Sequence, residues 1–147
     1  MTIDIRMADE TGFCFGVKRA LKLLEAAIET HGKVETIGPL VHNQQVVDKL
    51  ERLGAQAVQD AAQIKGSVAV IPSHGVPLSV FEELKGRGVT VIDTTCPNVR
   101  KAQNAAKDLS SAGFWVVVFG DPSHPEVKGI IGWAAGKDIA TLDIQRL

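Results

Sequence analysis

Seven short apolar, β-branched runs recur along this chain, and between them the apolar spacing changes to a helical period. The runs are Ile3 to Met7, Val34 to Ile37, Ala55 to Val58, Ser67 to Ile71, Val89 to Ile92, Phe114 to Phe119 and Ile139 to Leu142. Val17, Ala20, Leu21, Leu24, Ala27 and Ile28 mark a helix that Gly32 closes, and Val46, Val47, Leu50 and Leu53 mark another that Gly54 stops. Two more helices are expected, from Leu78 to about Lys85 and from Cys96 to about Ala112. Strands that alternate with crossovers of a dozen residues or more pair in parallel. The fold class is therefore α/β, a mostly parallel sheet with helices on both faces. Residues 1–96 make one complete lobe, and residues 97–147 supply only part of a second.

Composition narrows the function classes. Net charge is −1 with acids and bases interspersed, so no electrostatic footprint for nucleic acid or an anionic membrane is present. No apolar run approaches the ~20 residues of a membrane span. Met1 leads almost directly into a strand pattern, so no signal or transit peptide is expected. Two cysteines are no disulfide framework, so a cytoplasmic, reducing compartment is expected.

The reactive side chains fall at equivalent places. Cys14 follows the first run, His42 the second, His74 the run ending at Ile71, Cys96 the run ending at Ile92, and His124 with Glu126 the run ending at Phe119. In open α/β sheets, ligands bind in the crevice outside the carboxyl ends of the strands. Pro97 suits the first turn of a helix, so Cys96 stands at a helix amino end, where backbone N–H groups favour negative charge. Only His31 lies elsewhere, in the last turn of a helix. Gly12, Gly16, Gly38, Gly75 and Gly120 would let the backbone approach a bound group closely.

Taken singly, each residue has a plainer reading. A free cysteine is commonly a small buried hydrophobe, and a histidine before glycine commonly a turn residue. Five such loops on one sheet edge point to a shared functional crevice instead. Several chemistries suit the set: zinc, although close C-x₂₋₄-C pairs are absent, a Cys–His nucleophilic pair, or an iron–sulfur cluster, which ordinarily takes three or four cysteines. Imidazoles and helix amino ends also suit a phosphate or diphosphate.

Five motifs in register carry a specific resemblance. Gly12-Phe-Cys-Phe-Gly-Val17, Val41-His-Asn43, Ser73-His-Gly-Val76, Asp93-Thr-Thr-Cys-Pro97 and His124-Pro-Glu-Val127 resemble, in order and spacing, the LytB/IspH family of 4-hydroxy-3-methylbut-2-enyl diphosphate reductases. The resemblance runs from the first strand to about Gly132. It implies an iron–sulfur oxidoreductase of isoprene biosynthesis, in the methylerythritol phosphate pathway. The implied reaction is reductive dehydroxylation of an allylic diphosphate to isopentenyl and dimethylallyl diphosphates. A 4Fe–4S cluster would be held by three cysteines, of which Cys14 and Cys96 match the first two. His42, His74 and His124 match substrate-binding positions, and Glu126 matches the carboxylate that handles protons, with His124 beside it. Electrons would come from a ferredoxin or flavodoxin.

The departures are also specific. Family members have three lobes and about twice this length, and their third cysteine falls beyond residue 147. Where the family usually has Gly-Thr after His-Pro-Glu-Val, this chain has Gly129-Ile130. The resemblance thus places about half of the expected site on this chain, and the chain alone is expected to bind a cluster poorly. A non-catalytic α/β module binding a metal or phosphorylated metabolite is the alternative from another class. The apolar Phe114–Phe119 run needs cover on both faces, so exposed surface and self-association are expected.

Overall fold

The computed structural model describes residues 3–9 and 11–146. Its elements run α1 (Phe15–His31), β1 (Val34–Ile37), α2 (Gln44–Leu53), β2 (Ala55–Val58), β3 (Val68–Ile71), α3 (Leu78–Gly86), β4 (Thr90–Asp93), α4 (Pro97–Ser111), β5 (Val116–Phe119), α5 (Pro125–Ile131) and β6 (Asp138–Thr141). Single 3₁₀ turns cover Ala61–Gln63 and Ile144–Arg146. The first four strands form one parallel sheet in the order β2-β1-β3-β4, and β5 and β6 pair in parallel as a second.

Local chemistry sets the helix ends. The Gly32 N–H closes α1 on the Ile28 carbonyl at 2.7 Å. Asn43 caps α2 through its side chain, which accepts from the Val46 N–H at 3.1 Å. Such a cap contributes about 1 kcal/mol.

Side-chain period then distributes the core. Successive strand residues face opposite sides of a sheet. Val34, Val68 and Val70 join Ala20, Leu24 and Ala27 of α1 and Leu50 of α2 in one buried cluster. Ala69 and Ile71 join Ala61, Ile64 and Leu84 of α3 in the other. All of β3 is buried, as a central strand covered on both faces must be. The expected parallel sheet with helices on both faces is thus present.

The second sheet is covered on one side. Val116 packs with Ala106 of α4 and Ala134, while Val117 and Phe119 on the opposite face are 51% and 65% exposed. The expected uncovered apolar surface is therefore real.

One expectation fails. Residues 3–8 form no strand, and Ile3, Ile5 and Met7 are among the most exposed side chains described. Alternation alone does not make a strand: the backbone needs an edge to pair with, and among the described residues none receives this segment. Cys14 consequently follows an unpaired segment and not a strand.

Candidate active site

The order β2-β1-β3-β4 places a topological switch between β1 and β3, because the chain leaves β1 toward one side and β3 toward the other. The two loops that leave these strands carry His42 and His74. Their rings stack with centroids 5.9 Å apart, and His124 stands 6.4 Å from His42. The crevice above the switch, about 240 Å³, is lined by Cys14, His42, His74, Cys96, His124 and Glu126, together with Gly16, Val17, Ser73 and Val99. Every candidate residue named from the sequence therefore comes to one place.

Three helices point their amino ends into this crevice. Cys14 is the N-cap residue of α1, Cys96 of α4 and His124 of α5. The first turn of each helix presents N–H groups without intrahelical partners, so negative charge is favoured there. Sequence reasoning found this arrangement for Cys96 and missed it for His124. The same signal was available, since Pro125 follows His124 as Pro97 follows Cys96.

The two thiols share one glycine. A Cβ at Gly16 would lie 2.7 Å from the Cys96 Sγ and 4.0 Å from the Cys14 Sγ, so only a residue without a side chain lets both sulfurs approach α1. Cys14 is exposed and Cys96 half-buried, and both are free thiols.

Backbone and side-chain bonds hold Cys96 in place. Its N–H donates to the Ser73 carbonyl at 2.8 Å, tying the loop after β4 to the loop that carries His74. Asp93 Oδ1 accepts from the Thr95 N–H at 3.0 Å and from its hydroxyl, while Asp93 Oδ2 takes a charge-assisted bond from Arg100. Arg19 of α1 donates to the Thr95 carbonyl at 3.2 Å. Asp93 enters the sequence reading only as part of the Asp93-Thr-Thr-Cys-Pro97 motif, while Arg100 and Arg19 were not singled out, because no local pattern marks their bonds to Asp93 and to the Thr95 carbonyl.

The histidines differ electrostatically. Burial, and then the neighbouring His42 and His124, lower the pKa of His74 to about 4. His74 is therefore neutral near pH 7. The His124 Nδ1 accepts from the Glu126 N–H at 3.2 Å, which leaves Nε2 as the proton-bearing nitrogen of the neutral ring. Asp121 anchors the start of this loop. Hydrogen bonds from the Ser123 hydroxyl and N–H hold its carboxyl below the usual range.

Two thiols at helix ends, three imidazoles and a carboxylate thus share one open crevice of an α/β protein. Its family is LytB: the LytB protein family matches residues 5–146, and the chain belongs to it. The chain is 50% identical over 145 residues to the 4-hydroxy-3-methylbut-2-enyl diphosphate reductase of Dehalococcoides mccartyi strain CBDB1, covering 99% of this chain and 51% of that protein. The same-named enzyme of Geotalea uraniireducens strain Rf4 is 45% identical over 135 residues, covering 92% of this chain and 48% of that one. A solved (E)-4-hydroxy-3-methyl-but-2-enyl diphosphate reductase, described as the terminal enzyme of the non-mevalonate pathway, superposes with a TM-score of 0.79 at 39% identity. It covers 99% of this chain and 53% of its own. The E-1-hydroxy-2-methyl-but-2-enyl-4-diphosphate reductase of Plasmodium falciparum gives a TM-score of 0.88 at 25% identity, covering 93% and 44%. This chain spans about half the length of the curated relatives it matches. No helix among the described residues is long and apolar enough to cross a membrane.

Proposed function

We propose that this crevice serves the reductive dehydroxylation of 4-hydroxy-3-methylbut-2-enyl diphosphate, with the chain supplying about half of the active site. Overall, an allylic C–O bond breaks, two electrons and two protons are taken up, and the oxygen leaves as water. The observation that carries this reading is the convergence of Cys14, Cys96, His42, His74, His124 and Glu126 on one cavity, in a chain of the LytB family. The two separate sheets support reading residues 1–96 as a first lobe and 97–147 as part of a second.

The donor set fits part of an iron–sulfur cluster. Two thiols flank Gly16 at helix amino ends, where negative charge is favoured. A 4Fe–4S cluster takes three or four such ligands, and among the described residues no three His, Cys, Asp or Glu side chains gather as a metal-ligand group. Cys14 and Cys96 would be two of the ligands, and the cluster would supply electrons and a Lewis-acidic iron. A ferredoxin or flavodoxin is the electron donor in this reading, and the cytoplasm the compartment.

The remaining residues handle the substrate. His42, His74 and His124 bind the diphosphate, and His74 gains its proton as the anion arrives. Glu126 manages a proton at the departing hydroxyl, with His124 beside it.

Calorimetric titration with inorganic diphosphate tests the reading. The unaltered chain binds it, and His42→Ala or His74→Ala weakens binding by about tenfold, the scale of one charge-assisted hydrogen bond. His31→Ala, on the far end of α1, leaves affinity unchanged. Equal affinities for all four proteins would contradict it.

A further inference from the structure

Besides the His42–His124 approach, further contacts beside the histidines join the two sheets. The Val76 carbonyl, two residues after His74, accepts from two side chains of the second unit. Trp133 Nε1, just past α5, donates to it at 3.0 Å, and Gln103 Nε2 of α4 at 3.4 Å. The same Gln103 nitrogen reaches the Gly129 carbonyl within α5 at 3.5 Å. Gln103 is fully buried, and its Oε1 has no partner among the described residues. Its amide therefore keeps one polar atom unsatisfied while its donor bridges the two carbonyls, a cost that an ordinary packing residue would not carry.

Close backbone approach surrounds this bridge. A Cβ on Gly75 would fall 2.4 Å from Gln103 Nε2, and one on Gly132 would fall 2.4 Å from the Pro77 Cβ. The Leu78 N–H also donates to the Gly132 carbonyl at 3.3 Å. Trp133 is fixed in turn by Arg100, whose guanidinium stands 4.7 Å from its ring centre and 5.2 Å from that of Phe81. Arg100 is the same side chain that pairs with Asp93 behind Cys96.

The geometry points to a positioning role. We propose that Gln103 and Trp133, by both donating to the Val76 carbonyl, set the distance between His74 and the His124–Glu126 end of α5, and so tune the crevice to a diphosphate over a monophosphate. The inference rests on the diphosphate reading above. In this proposal a single phosphate would be met by His42 and His74, whose rings stack 5.9 Å apart on the first sheet. A second phosphate also draws on His124, whose place depends on how α5 is held against the His74 loop.

The test compares inorganic diphosphate with inorganic phosphate on the intact chain by calorimetry. Trp133→Phe keeps a ring for Arg100 and Phe81 but removes the donor to Val76. It is expected to lower the ratio of diphosphate to phosphate affinity by about fivefold, the scale of one lost hydrogen bond. Phosphate affinity and the far-UV circular dichroism spectrum should stay unchanged. Gln103→Met, similar in length and without donors, should act in the same direction, and it carries the test if Trp133→Phe does not fold. An unchanged ratio in a folded variant, or equal weakening of both anions, overturns the inference. If His42→Ala weakens diphosphate binding while the ratio survives in Trp133→Phe, only this inference falls. An unaltered chain with no preference for diphosphate, or a diphosphate affinity indifferent to His42→Ala, overturns both.

Discussion

The rings of His42 and His74 stack 5.9 Å apart with 22° between their planes, and His74 is the more buried member. Desolvation, and then the two neighbouring imidazoles, hold His74 neutral down to about pH 4, against an ordinary value of 6.5. The unfolded chain thus binds more protons at this site than the folded one between those values. Stability from this site is fully present above pH 6.5 and is lost as pH falls through about 4. Urea midpoints measured from pH 4 to 7 should rise with pH, and His74→Gln should flatten the curve. An identical slope in the variant would remove His74 as its source.

Anion binding should run the other way. A diphosphate favours the charged ring, so binding near pH 6 is accompanied by proton uptake. Calorimetry in buffers of different ionisation enthalpy measures that uptake directly. The expected result is a positive value in the unaltered chain and a smaller one in His74→Gln.

Gly16 is where the thiols meet α1. In Gly16→Ala the new methyl meets the Cys96 sulfur at 2.7 Å, so that side chain must move. Overpacking of this kind costs about 1–3 kcal/mol. Iron retained after anaerobic reconstitution should fall well below that of the unaltered chain, while the helical circular dichroism signal persists.

Thiol labelling separates the two cysteines. Cys14 is exposed and Cys96 half-buried, so alkylation should mark Cys14 about tenfold faster, a rate set by access at otherwise similar helix ends. Peptide mapping at short times reads the order.

The uncovered face of β5 makes a prediction about association. Val117 and Phe119 on that face are exposed, as are Phe114 and Trp115 just before the strand, and exposed apolar surface of this kind promotes self-association. Phe119→Lys should move the light-scattering mass toward the monomer without altering diphosphate binding.

Much of this was legible in the sequence, because period carries it. Val68 to Ile71 reads as a buried strand and is one, and Gly32 and Gly54 end the helices they were expected to end. The crevice was legible because His42, His74, Cys96 and His124 each follow a strand, although Cys14 does not. The Ile3–Met7 segment was misread because alternation reports a face and says nothing of a pairing partner. Gln103, Trp133 and Arg100 carry no local pattern at all. Their partners are the Val76 carbonyl, Asp93 and two aromatic rings, which only the folded chain brings near.

Glu126 offers the most direct test. It lines the crevice two residues after His124, and Glu126→Gln preserves size and hydrogen-bonding reach while removing an acidic proton. Turnover is measured in an enzyme assembled from this chain and the remaining half of the Dehalococcoides mccartyi reductase, which is 50% identical over the shared region. The account predicts a loss of turnover of at least about 10²-fold, the scale of a removed general acid, with substrate binding largely kept. Near-normal turnover in Glu126→Gln would contradict it.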